Sequence, residues 1–331
     1  MSNSKTLRAA IIGCGKIAGG YDESSSSDQI LTHAKAYNRH PATELVAVAD
    51  IDQKRAQHFA RRWEIPQVYT DGIKMLEDAR PDVVSICTPD DNHGEWLEAC
   101  LRFPVRAVWC EKPLVAEEQQ GARIVADYER RKIPLAVNYL RRWDPHLSKI
   151  RQLCAKCAGD DLKAIVMYGK GLHHNGSHAV DLLLDWFGEM DQLYPLDAIN
   201  DYSDSDLTVS GRLTFKNGAQ AYLIGNNERR YTLWEIDVIG PSWRFRLVQS
   251  GLRLEHYFLR DDPVFTGYKE LDPAPEIITT DLYIDVYWAL DNLVHAIHDG
   301  QALRSSGRTA FETLRVCELL TSKAQFLYKG E

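Results

Sequence analysis

Three short stretches of the chain combine residue types that chemistry can use. The first, Gly13-Cys14-Gly15-Lys16-Ile17-Ala18, has the spacing of a turn that receives a dinucleotide pyrophosphate. Gly13 permits the tight turn, Gly15 lets phosphate approach the backbone, and Ala18 keeps the following helix close to a sheet. Glycine turns also join strands to helices for packing alone, so the cofactor reading rests on this turn's place after the first strand of a βαβ series. The second is Asp50, which closes the run Val46-Ala47-Val48-Ala49. A carboxylate there can accept both ribose hydroxyls of an adenosine and repels a 2′-phosphate, which favours NAD over NADP, with Arg55 near enough to moderate the repulsion. The alternative is a helix N-cap. The third is Glu111-Lys112-Pro113. It follows a strand at the carboxyl edge of the sheet, where open α/β sheets place ligands, so Lys112 falls near a nicotinamide if the glycine reading holds. Pro113 stiffens the backbone, and Glu111 is placed to hold the ammonium. The plain alternative is a solvated lysine ahead of a helix.

Further along, His173-His174-Asn175-Gly176-Ser177-His178 leads into a helix whose stripe of Leu182, Leu183, Trp186 and Phe187 faces a core. Ser177 or Asn175 is a fair N-cap, which puts His178 in the first turn and Asp181 one turn on. His174 and His178 have the spacing of a zinc-binding pair. The H-E-x-x-H acid is missing and Gly176 is expected to break the helix, so no metal is assigned. Cys154-Ala155-Lys156-Cys157 has redox spacing, but it stands alone near a helix end. Among the aromatics, most belong to cores; Tyr139, Trp143 and Trp234 are candidates to stack on a sugar.

These residues need a frame. From Leu7 to about Asn138, apolar strand-length runs (Leu7–Ile12, Glu44–Ala49, Val68–Tyr69, Val83–Cys87, Val105–Cys110, Leu135–Val137) alternate with amphipathic helices. Strands apolar through their whole length imply a parallel sheet covered on both faces, hence a doubly wound Rossmann arrangement. Beyond about residue 160 the runs are strands joined by turns such as Lys216-Asn217-Gly218 and Gly240-Pro241-Ser242. With helices near 177–187, 282–299 and 309–328 they predict an α+β domain with a large, open, mostly antiparallel sheet. The expected division is 1–140 for dinucleotide and 141–331 for substrate and oligomer contacts. Gly19–Leu31, with its Ser24–Ser27 run, reads as an insertion, a mobile surface loop, that carries Asp50 beyond the usual ~20 residues from the glycines.

At 331 residues, 44% hydrophobic and 26% charged, the chain has material for about two globular domains. A net charge of −8 without a Lys/Arg run of five or more speaks against nucleic acid. The apolar runs are too short for a membrane span, and the first residues show no signal-peptide core or cleavage pattern, so neither is expected. Seven scattered cysteines read as reduced thiols, so the cytoplasm is the expected compartment.

Taken together, these stretches resemble the Gfo/Idh/MocA family (glucose–fructose oxidoreductase, inositol dehydrogenase, rhizopine catabolism). The resemblance spans nearly the whole chain. It is carried by Gly13–Ala18, Thr88-Pro89-Asp90-Asp91-Asn92-His93, Glu111-Lys112-Pro113, Arg141-Arg142-Trp143-Asp144-Pro145 and Gly176-Ser177-His178-Ala179-Val180-Asp181. It implies NAD or NADP as cofactor and a sugar, cyclitol or nucleotide-sugar hydroxyl or carbonyl as substrate. It also implies a homodimer or homotetramer formed through the C-terminal sheet. By the same resemblance Lys112 binds the reacting oxygen and His178 takes the hydroxyl proton, while Lys16, Ile17, Thr88, Pro89, Asn92, His93 and Glu111 border the cofactor. Tyr139, Arg142, Trp143, His174 and Asn175 are the substrate-side candidates. His174 stands where many members carry Asp, which loosens any inference about the substrate. Two other functions fit the same fold: a dinucleotide-binding regulator without turnover, and a sugar-modifying enzyme with a closed NAD redox cycle.

Overall fold

The computed structural model describes residues 6–23, 28–325 and 327. Ser24–Ser27 and the last residues of the helix expected at 309–328 lie outside them. The chain divides into two compact units, one of Met1–Trp143 with Tyr283–Glu312, the other of Asp144–Leu282 with Thr313–Glu331.

The first unit is built on β1 (Leu7–Ile12), β2 (Thr43–Ala49), β3 (Gln67–Tyr69), β4 (Val83–Ile86), β5 (Ala107–Cys110) and β6 (Leu135–Val137). Their order is β3-β2-β1-β4-β5-β6 and every pairing is parallel. All residues of β4, β5 and β6 are buried, as helices on both faces require. Those helices are α1 (His33–Arg39), α2 (Gln53–Trp63), α3 (Gly72–Ala79), α4 (His93–Cys100) and α5 (Glu118–Arg131). Thr32, Asp52 and Asp71 cap α1, α2 and α3, each side-chain oxygen accepting from amides of the first turn. The strand order reverses between β1 and β4, and the crevice outside their carboxyl ends is where such sheets take ligands.

The second unit carries α6 (Pro145–Cys154) and α7 (Ser177–Phe187) on a nine-stranded sheet. Its strands are β7 (Lys163–Tyr168), β8 (Met190–Ser203), β9 (Asp206–Phe215), β10 (Gln220–Gly225), β11 (Trp234–Ile239), β12 (Trp243–Val248), β13 (Arg253–Asp261), β14 (Lys269–Leu271) and β15 (Glu276–Thr279). The β7–β10 pair is parallel and the others are antiparallel. Gly218, at φ +98°, closes the β9–β10 hairpin. One face of the sheet makes a core from Ala164, Val166, Tyr168, Leu213 and Phe245 with Leu183 and Trp186 of α7.

The single cut expected near residue 140 is corrected by the segment Tyr283–Glu312, which belongs to the first unit. There α8 (Asp285–Asp299) buries Val286, Ala289, Leu290 and Leu293 in the core that holds Trp109 and Ala136. The stretch after it lies along β6: Val137 N–H donates to the Ser305 carbonyl at 3.2 Å, and Ala136 bridges Ser306. A free sheet edge is thereby covered. An apolar stripe on a helix says that one face is buried, not in which core. The last helix, α9 (Gly307–Ala324), gives its first residues to one unit and the rest to the other.

Candidate functional site

A cleft of about 700 Å³ opens where β1 and β4 end, lined by Gly13, Gly15, Lys16, Ile17, Asp50, Arg55, Thr88, Pro89 and Asn92 among others. Gly13 adopts φ +93°, and a Cβ on it would lie 2.6 Å from the Cys87 carbonyl oxygen. At Gly15 a Cβ would meet nothing within 4 Å, so the backbone there faces open space. A turn with one glycine pressed on the sheet and the next facing open space fits a pyrophosphate. Asp50, 8% exposed, ties the turn to β2 by accepting the Cys14 N–H at 2.9 Å, and it also accepts the Asp52 N–H at 2.8 Å. Arg55 Nη1 lies 3.5 Å from Asp50. The cap of α2 is Asp52, which leaves Asp50 to the cleft.

The glycine turn does not open a full helix, contrary to expectation. After one helical turn the chain leaves for the insertion, then resumes at α1. His33 and Ala34 N–H groups donate to the Ile17 and Ala18 carbonyls at 3.3 and 2.8 Å. Ala34 thus takes the place residue 22 would hold in an unbroken helix, an excursion of 12 residues. That excursion accounts for the long interval to Asp50. Its described part is more fixed than a mobile loop: buried Asp22 accepts from Leu31 N–H at 3.0 Å and Thr32 Oγ1 at 2.8 Å.

Glu111 and Lys112 follow β5, and the Lys112–Pro113 peptide is cis. The Glu111 carboxylate is engaged by His33 Nε2 at 2.8 Å and Asn138 Nδ2 at 2.7 Å. Burial pushes its carboxyl up, but these bonds outweigh burial and hold it below the ordinary carboxylate range. His93 is fully buried, its Nδ1 2.7 Å from the Pro113 carbonyl and Nε2 3.1 Å from the Thr88 carbonyl, so it braces the cleft wall from behind. Sequence reasoning missed His33; a histidine in the first turn of a helix gives no sign of a partner 78 positions away.

In the second unit, His173 and His174 lie in a wide π-helical turn, Leu172–Gly176, that runs into α7 without the expected break at Gly176. Neither Asn175 nor Ser177 caps it. Asp206 of β9 accepts the His173 and His174 N–H groups at 2.9 and 2.8 Å, Asn175 Nδ2 donates to the Gly169 carbonyl, and Ser177 Oγ donates to the His173 carbonyl. His178 stands in the first turn of α7, partly buried, and Asp181 one turn on accepts from Thr313. The His174 ring lies 4.7 Å from that of Tyr202. Tyr139, Arg142 and Trp143 of the first unit are buried; Trp143 is core, donating its indole N–H to Asn292 at 3.0 Å, and offers no face for a sugar. Trp234 is likewise buried, with its N–H on the Asn175 carbonyl. Aromatic bulk places Tyr139, Trp143 and Trp234 inside.

Among the described residues no group of three or more His, Cys, Asp or Glu is arranged to hold a metal ion. Cys154 ends α6 and Cys157 Sγ lies 3.3 Å from the Leu153 carbonyl; all seven cysteines are free thiols.

Residues 7–139 match the profile of an oxidoreductase family with an NAD-binding Rossmann fold. The match covers the first domain, and in it the chain is similar to the Gfo/Idh/MocA oxidoreductases. It is similar to inositol 2-dehydrogenase of Rubrobacter xylanophilus, 28% identical over 185 residues, 56% of this chain and 48% of the relative. The chain therefore spans about half the length of that curated relative. In fold it is similar to UDP-N-acetylglucosamine 3-dehydrogenase from Acidithiobacillus ferrooxidans (TM-score 0.76, 19% identity, 97% of this chain and 99% of the other). It is similar too to the WlbA dehydrogenase from Bordetella pertussis solved with NADH and UDP-GlcNAcA (TM-score 0.75, 16% identity, 97% of both chains). Both likenesses cover 97% of this chain, so the fold, a Rossmann unit and a unit with a large mixed sheet, is shared with these two dehydrogenases.

Proposed function

We propose that this chain is an NAD-dependent oxidoreductase acting on a secondary alcohol or ketone of a sugar, cyclitol or nucleotide sugar. The observation that carries the reading is the cleft at the β1/β4 switch, with the open Gly15 backbone on its floor and Asp50 in its wall. A bound nicotinamide dinucleotide supplies the site with a hydride acceptor or donor. Backbone N–H groups after Gly13 receive the pyrophosphate, and Asp50 accepts the adenosine ribose hydroxyls, favouring NAD over NADP. The Lys112 ammonium holds the reacting oxygen and stabilises the negative charge that grows on it. His178 takes the hydroxyl proton in oxidation and returns it in reduction. The names of the relatives, an inositol and two nucleotide-linked amino sugars, support the substrate class.

Seven free thiols support a reducing, cytoplasmic setting. No helix among the described residues is long and apolar enough to cross a membrane. The outer face of the second unit's sheet supports pairing with further copies of the chain. The test of activity is near-ultraviolet absorbance of the protein with NAD and a panel that includes myo-inositol and UDP-N-acetylglucosamine. A rise with at least one alcohol is expected. Tight NADH binding with no rise and no exchange of labelled hydride into product would instead mark a regulator, and exchange without a rise a closed redox cycle.

A further inference from the structure

Lys112 stands in the chain between two residues whose polar groups are each taken by a buried histidine. On one side His33, at 0% exposure, reaches Glu111 Oε1 with Nε2 at 2.8 Å. Its Nδ1 lies 2.9 Å from Ser85 Oγ, and Ser85 Oγ lies 2.8 Å from the Tyr37 hydroxyl. The imidazole is seated on Trp109, ring centroids 3.8 Å apart. Side chains from α1 and β4 thus form one connected run ending on the Glu111 carboxylate, with Asn138 bound to the same oxygen at 2.7 Å. On the other side His93, also at 0% exposure, spans from the Pro113 carbonyl at 2.7 Å to the Thr88 carbonyl at 3.1 Å. Thr88 is in the wall of the cleft.

Hydrogen bonds made out of water hold their partners firmly, because a group pulled away is left desolvated. Anchors on residues 111 and 113 fix the backbone of residue 112 at both ends. A lysine has four side-chain rotors, so the placement of its Cα decides which points its ammonium can reach. His93 adds registry: one imidazole joins the segment that carries Lys112 to the wall that would carry the dinucleotide. Supporting groups of this kind set the geometry of residues that do chemistry.

We propose that His33 and His93 are positioning residues for Lys112, clamping the Glu111-Lys112-Pro113 segment from both sides and registering it to the cleft. The proposal rests on the reading of Lys112 as the group that binds the reacting oxygen. Packing alone would make the two histidines matter for stability only.

The test compares wild type with His33→Leu and His93→Leu, which delete the bonds, and with His33→Gln and His93→Gln, which keep a donor. With NAD and the best alcohol of a panel including myo-inositol and UDP-N-acetylglucosamine, the leucine variants lose kcat by roughly 10–100-fold. Their KM stays unchanged, each still binds NADH, and glutamine restores part of the rate. A second readout needs no substrate. Lysines are 13C-dimethylated, and the Lys112 signal, identified by its loss in Lys112→Arg, moves in each leucine variant whose circular dichroism is intact. Wild-type kcat and an unmoved Lys112 signal in folded leucine variants overturn the proposal. Should wild type turn over no alcohol, the activity reading fails separately and the lysine signal alone decides: moved supports the clamp, unmoved overturns it. Should a leucine variant not fold, Glu111→Gln replaces His33→Leu, and His93→Phe, which keeps a ring but neither ring nitrogen, replaces His93→Leu. The readouts are the same, and a moved or unmoved lysine signal decides in the same way.

Discussion

At Gly13 the backbone holds φ +93°, and a methyl group there would press within 2.6 Å of the Cys87 carbonyl oxygen. Gly13→Ala is expected to cost about 1–3 kcal/mol through the left-handed backbone and the clash. Urea denaturation measures the first loss and NADH fluorescence titration the accompanying loss of affinity. Asp50 already accepts two backbone N–H groups, from Cys14 and Asp52, so it is oriented before any ribose arrives. NAD should therefore bind more tightly than NADP, and Asp50→Ala should narrow the gap; titrating both cofactors against both proteins decides it. The places of these residues at strand ends are legible in the sequence because they depend on local pattern: a glycine spacing, an acid at a strand end, a lysine before a proline. Trp143 defeats a local reading because its indole finds Asn292 across 149 positions, a separation that no short pattern announces.

The elements explain what local patterns leave out. Most strands of the first unit fall within a residue or two of expectation, because an all-buried parallel strand is apolar end to end. In contrast, β8 gives no strand signal. It contains Pro195 and buries only Leu193, Ala198 and Asp201 of its 14 residues, the habit of an edge strand rather than an alternating one. The interrupted helix between Ala18 and Ala34 is legible only as an odd interval before Asp50. For α8, Leu290→Ala should destabilise by about 2–5 kcal/mol, since the side chain is fully buried in the first unit's core. A calorimetric melt of the whole chain checks it. Glu111 adds a pH dependence. Its carboxyl is held below the ordinary range by His33 and Asn138 against the opposing effect of burial, so its contribution is present above that range. The contribution is lost as pH falls through the lower folded value. Accordingly, Glu111→Gln should be less stable than wild type at neutral pH, and the difference should vanish in acid.

For the molecule as a whole, the net charge of −8 argues against polyanion binding yet leaves room for a dinucleotide, whose phosphates, on the reading proposed above, would meet backbone N–H groups rather than a basic surface. The second unit contributes a sheet face that α6 and α7 do not cover. The strand register runs one row across it from Tyr194 through Arg212, Tyr222, Ile165, Asp237, Arg246 and Glu255 to Ile277. Tyr194, Tyr222, Ile224 and Ile277 are exposed there, more than scattered surface apolar residues would give. If this face joins copies, Tyr222→Glu with Ile224→Glu should turn a dimer or tetramer into a monomer in light scattering, with NADH binding intact. Fold class is readable from strand spacing, but the return of Tyr283–Glu312 to the first unit is not, since it depends on which core a stripe finds. The central claim, hydride moved by an oxygen-binding Lys112 and a proton-moving His178, is tested most directly by isotope transfer. An alcohol of the panel deuterated at its carbinol carbon is incubated with NAD and wild type, Lys112→Ala or His178→Ala. The account predicts deuterium on the nicotinamide in wild type and a loss of about 10²–10⁴-fold in rate in each variant, with cofactor still bound. Deuterium transfer at the wild-type rate in both variants would contradict it.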